Sequence, residues 1–131
     1  MRLVLVLVAS GIAFACGPPA RAPDGREKTE TCAVESKVGV PCRIDETTNP
    51  QIGTHEVGVS NLFDRELPGP DGVVAMRKGA AISVYDRETK KEEHHKVTIG
   101  TVIPIGNTSY RVVAIEYGHV GPGWIILERI P

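Results

Sequence analysis

The chain is poor in aromatic residues, almost without net charge and without long apolar runs, and these shortages limit what it can be. Aromatic side chains make up 5% of the 131 residues and include a single Trp. A folded core therefore has to be built mainly from Val, Ile and Leu. The formal charge is −1, from 15 basic and 16 acidic side chains. Neutralising nucleic-acid phosphates needs clustered Lys and Arg, so nucleic acid is not an expected partner. Attraction to an anionic bilayer by charge alone is not expected either. Long apolar runs are missing too. Leu3 to Phe14 is twelve residues long and would reach about 18 Å as a helix, short of the ~30 Å core of a bilayer. Gly-rich phosphate loops, nucleophile elbows and His-Glu-x-x-His patterns do not occur. Neither an enzyme nor a cofactor is expected.

What is there begins at the N-terminus. Met1 and Arg2 supply positive charge, Leu3 to Val8 an apolar stretch extended through Ala9, Ile12, Ala13 and Phe14, and Ala13 and Ala15 the small residues at its end. That order is the pattern of an export leader. Ala13-Phe14-Ala15-Cys16 then resembles the lipobox of bacterial lipoproteins, in which the cysteine is acylated and becomes the new N-terminus. The resemblance covers only the first sixteen residues; Ala13 stands where Leu is preferred, and Phe14 is bulky for its position. It implies a leader over residues 1–15, lipid on Cys16 and an envelope-membrane anchor. Gly17 follows, where lipoproteins held in the inner membrane of many Gram-negative bacteria carry Asp, which implies the outer membrane. Ala13-Phe14-Ala15 also fits an ordinary small-x-small cleavage site, and use of that site would release a secreted protein.

The chain has three cysteines. If Cys16 carries lipid, Cys32 and Cys42 remain to pair in an oxidising compartment. Their spacing is far from Cys-x-x-Cys and so suits a structural bridge better than a redox pair. Residues 16–31 read as the acylated cysteine and a flexible tether, Pro-rich from Gly17 to Gly25 and without apolar periodicity. Residues 32–131 read as one small domain.

In that domain apolar residues recur at period two, and helical spacing is scarce. Ala80 to Asp86 is the clearest strand, with Ile82 and Val84 on one face. It is followed by a charged turn, Arg87 to Glu93, and a return strand through His94 to Ile99. Gly106-Asn107 is a turn dipeptide between Thr101–Ile105 and Ser109–Tyr117. A glycine-rich loop leads into a last strand, Trp124 to Ile130. Val57–Val59 and Val73–Met76 read as short strands around the turn cluster Leu67 to Gly72, and a helix of at most two turns is expected near Ser60 to Glu66. The expected fold is all-β: a small antiparallel meander of about five to seven short strands, closed as a barrel or a sandwich.

Four groups of residues are candidates for chemistry. Glu93, His94 and His95 offer metal-ligand types, but adjacent side chains on a strand point to opposite faces, so the two imidazoles do not readily share an ion. A charged, solvated hairpin tip accounts for them better. Tyr117, His119 and Trp124 mark a candidate binding loop, since aromatic residues favour interfaces. A catalytic His119 would need an orienting acid and a nucleophile, and no spacing supplies them. Asp64, Glu66 and Asp71 lack the alternation of a calcium loop. The reading that emerges is a non-enzymatic envelope lipoprotein acting as a binding or accessory module, with the membrane and an envelope protein as partners. A periplasmic metal or small-molecule binder and an inhibitor of an envelope enzyme are the alternatives.

Overall fold

The computed structural model describes residues 29–33, 36–118 and 120–131. The leader, Cys16, the tether up to residue 28 and His119 lie outside the described residues. Eight strands follow in order: β1 (Pro41–Asp45), β2 (Gln51–Ile52), β3 (His55–Pro68), β4 (Val74–Asp86), β5 (Glu92–Thr98), β6 (Val102–Ile105), β7 (Thr108–Glu116) and β8 (Trp124–Ile130). They form two four-stranded antiparallel sheets, β1-β8-β7-β6 and β2-β3-β4-β5. The expected all-β meander is therefore present, with one strand more than the upper expectation. No helix occurs among the described residues.

The expected helix at Ser60–Glu66 is replaced by the middle of β3. Phe63, Asp64, Arg65, Glu66 and Leu67 pair with Gly79, Lys78, Arg77, Met76 and Ala75 of β4. Isolated two-turn helices are marginal in water, whereas a fourteen-residue strand with a long antiparallel neighbour gains a ladder bond pattern along most of its length. The register slips between Ser60 and Phe63, where Asn61 takes φ 54°. This is a β-bulge. It lets β3 and β4 continue as a two-stranded arm after the sandwich proper has ended.

The core follows from the period-two pattern. Val57, Val59, Ala80, Ile82, Val84 and Val97 of one sheet join Ile44, Ile103, Tyr110, Val112, Ile115, Ile125 and Leu127 of the other in a single buried cluster. Trp124, Ile125, Ile126 and Leu127 are all buried, so β8 is covered on both faces, as a continuous apolar run in a central strand suggests. The edge strands carry protection against pairing with other chains: Pro104 in β6 and the charged run Glu92 to Lys96 in β5.

Between β5 and β6 the chain changes sheets within three residues. Gly100 donates its amide to the Val112 carbonyl at 2.7 Å, and Val112 donates to the Thr101 carbonyl at 2.8 Å. Gly100 has φ +95°, and a Cβ there would lie 2.6 Å from the Pro70 ring. Only glycine meets both conditions.

Cys32 and Cys42 form a disulfide, and both are buried in the core cluster. The closing residues of the expected tether are already ordered against the sheet. Thr31 bridges Arg43 in parallel, Arg43 donates its amide to Glu30 at 2.7 Å, and Cys32 donates to the Arg43 carbonyl at 3.0 Å.

Candidate functional site

The β3–β4 arm is the main exposed apolar feature. Phe63 is 50% and Met76 65% exposed, and Val73 and Val74 are also open to solvent. The arm is held at its root by polar contacts. The Tyr117 hydroxyl donates to Asp64, Lys78 lies 3.9 Å from Glu116, and the Lys78 ammonium stands 5.8 Å from the centroid of the Tyr117 ring. Leu62 at the bulge packs on the core. Gly123 makes room for it: a Cβ there would meet the Glu116 carbonyl at 2.5 Å and Leu62 at 2.8 Å. At the far end Arg77 donates to the carbonyls of Leu67 at 3.2 Å and Val73 at 3.0 Å, which ties the tip together. Arg65 lies over the Phe63 ring at 4.1 Å, a cation–π contact that leaves half of the ring in water.

The candidate loop residues have separate fates. Tyr117 is half-buried and serves as the clasp for Asp64. Trp124 is 5% exposed and stands on the face of β8 opposite the core residues Ile125 and Leu127, so its ring offers little surface to a partner. His119 lies outside the described residues.

Along β5 the side chains alternate as the strand requires. His94 Nε2 lies 3.6 Å from Glu92, and His95 Nε2 lies 3.3 Å from Glu93. The strand's pleat puts these pairs on opposite faces, so His94 is separated from Glu93 and His95. His95 stands opposite Ile82, and Asp86 stands opposite His55 instead. Among the described residues no group of three or more His, Cys, Asp or Glu side chains is placed to hold a metal ion. Asp64 and Asp71 are likewise apart in role, Asp64 accepting from Tyr117 and Asp71 from the Val73 amide at 3.0 Å.

One cluster was not visible in the sequence. Thr54, His55 and Asp86 meet where the β2–β3 and β4–β5 turns adjoin, with His55 Nε2 3.6 Å from Asp86 Oδ2 and the Thr54 hydroxyl 3.5 Å from His55 Nδ1. A hydroxyl, an imidazole and a carboxylate invite comparison with a nucleophilic triad. The Thr54 hydroxyl also reaches Asp86 Oδ1 at 3.4 Å, so the carboxylate competes with the ring for its one proton. The Glu88 amide, donating to Asp86 at 2.9 Å, holds that carboxyl below the ordinary carboxylate range against partial desolvation, with help from Thr89 and His55. His55 also packs on the β6–β7 turn, 3.0 Å from where a Gly106 Cβ would stand. The cluster is a latch that ties the start of β3 to the end of β4 within one sheet and seats His55 on the β6–β7 turn of the other.

The fold and these surfaces define a disulfide-closed, all-β domain with a two-stranded arm that exposes Phe63 and Met76 and rests Pro70, at its tip, against Gly100. No family model, curated protein or solved structure matches the chain.

Proposed function

We propose that the protein is an exported, lipid-anchored, non-enzymatic binding module of a bacterial cell envelope. Cys16 is the acylated residue, the segment after it is the link to the folded domain, and an envelope protein is the partner. The observation that carries this reading is the Cys32–Cys42 disulfide. It fits an oxidising compartment, since such bridges are rare where thiols are kept reduced. It also accounts for two of three cysteines and leaves Cys16, at the end of an apolar leader, as the third. Gly17 after the acylated residue directs the protein to the outer membrane. The non-enzymatic part of the reading is supported by the latch geometry around His55 and by the separation of His94 from His95. Binding is supported by the arm, which keeps Phe63 and Met76 in water while polar clasps hold its shape.

Intact-mass analysis of the native protein tests the address. The expected product starts at Cys16, carries acyl chains and lacks two hydrogens for the disulfide. An unmodified mature N-terminus, or a cytosolic product with the leader attached, would overturn it. Fractionation that finds the protein only in the inner membrane would remove the outer-membrane assignment.

A further inference from the structure

The described chain begins at one particular end of the sandwich. Thr31 runs parallel to β1 beside Arg43, and the Thr29 carbonyl accepts from the Arg43 guanidinium. The preceding residues therefore arrive from the Pro41 end of β1, which is also the end where β8 finishes. At that end the turn of Ser36 to Val40 is braced on β8. Val38 bridges Arg129, Gly39 donates to the Arg129 carbonyl at 2.9 Å, and the Arg129 guanidinium donates to the Ser36 carbonyl at 3.1 Å. The disulfide closes the base of the same loop. Val38 and Val40, on either side of Gly39 at φ 77°, are each 51% exposed. The bracing keeps the turn from folding them inward.

Thirteen residue steps separate Cys16 from Thr29, and even fully extended they span at most about 45 Å. Acyl chains on Cys16 would thus keep the domain within about 45 Å of the bilayer, with this end nearest the point of attachment. A short linker also raises the local concentration of a weak surface contact to about the millimolar range. Beside the turn, Glu30 and Lys37 line a cleft of about 530 Å³ together with Thr31, Ser36, Val40 and Pro41. One cation and one anion there complement the phosphate and ammonium of a zwitterionic headgroup. Residues 120–123 lead into Trp124 at the opposite end of β8, roughly 20 Å away along the strand.

We infer that the Val38–Val40 turn is a second membrane contact, seated in the zwitterionic phospholipid surface that receives the acyl chains. This rests on acylation of Cys16, as proposed above. The contact fixes the orientation of the domain: the disulfide loop faces lipid, and the loop before Trp124, with the root of the arm, faces away.

The test uses the full acylated protein in zwitterionic phospholipid vesicles with brominated acyl chains. Val38→Trp and Val120→Trp are compared with the unsubstituted chain, whose Trp124 sets the background; Val40→Trp stands in if Val38→Trp does not fold. Quenching at position 38 is expected to exceed that at position 120 several-fold and to persist in high salt. Equal or weaker quenching at position 38, or its loss in high salt, overturns the contact while the anchor stands, provided intact mass shows acyl chains on the same sample. A mass without acyl chains overturns both. Shielding of position 38 in native envelopes but not in protein-free vesicles assigns the turn to a protein partner and equally overturns the lipid contact.

Discussion

Tyr110 heads the fully buried side chains by volume among the described residues, and its phenol shows how a single group couples this fold to pH. Burial raises the phenol above its ordinary range, and the charge of Arg129 pulls weakly the other way. The folded state thus favours the protonated form. Stability from this group is fully present below the unfolded phenol value, about 10, and is lost as pH rises through the raised folded value. An alkaline titration followed by circular dichroism should show unfolding above that range, and Tyr110→Phe should move the transition to higher pH; coincident curves would refute the role. The disulfide is the second residue-scale lever. Its half-cystines are ten positions apart, for which chain entropy predicts about 2–3 kcal/mol. The double substitution Cys32→Ala, Cys42→Ala should lower the urea midpoint by that equivalent, while an unchanged midpoint would show that the bridge constrains nothing in the unfolded chain.

At the scale of elements, the arm joins stability and binding differently from the rest of the sheet. Its root is fastened by Asp64 to Tyr117 and by Lys78 near Glu116, while Phe63 and Met76 remain exposed. Exposed side chains that leave these fastenings intact contribute little to folding, so Phe63→Ser with Met76→Ser should change stability by no more than about 0.5 kcal/mol. On the proposed function, the same pair should abolish capture of an envelope partner from detergent extract, measured with the full-length protein. Full capture with an unchanged midpoint would remove the arm from the binding surface. Elements whose signals are local were legible in the sequence: Trp124 to Ile130 matches β8, and Gly106-Asn107 joins β6 to β7. β1 was not, because Pro41-Cys42-Arg43-Ile44-Asp45 has too few apolar residues to stand out, and its partner β8 is distant in the chain. The arm was misread for a related reason. Ser60 to Glu66 has no strong pattern of its own, and pairing with β4 decides its state. The exposure of Phe63 and Met76 depends on where the sandwich ends, which no local pattern records. Conversely, the opposition of His94 to His95 was readable, because the pleat of a strand alone determines it.

For the whole molecule, the proposed anchor and the fold should be separable, because the described residues begin at Thr29, well after Cys16. Cys16→Ser removes the proposed acylation site but keeps Ala13-Phe14-Ala15, which fits ordinary leader cleavage. The variant is expected in the soluble envelope fraction, with the Cys32–Cys42 bridge intact and the thermal midpoint of the mature domain unchanged. What it should lose is apparent affinity for a membrane-resident partner. An anchor confines both proteins to one surface, and converting such an encounter to a free three-dimensional one weakens apparent binding by about 10²–10⁴-fold without altering a single contact. Capture by the soluble variant should recover as its concentration is raised, because the arm itself is untouched. A Cys16→Ser protein that still sediments with membranes in detergent-free buffer would show that something other than acyl chains holds it there. Capture that never recovers at any concentration would place part of the partner's site within the lipidated N-terminus rather than on the folded domain.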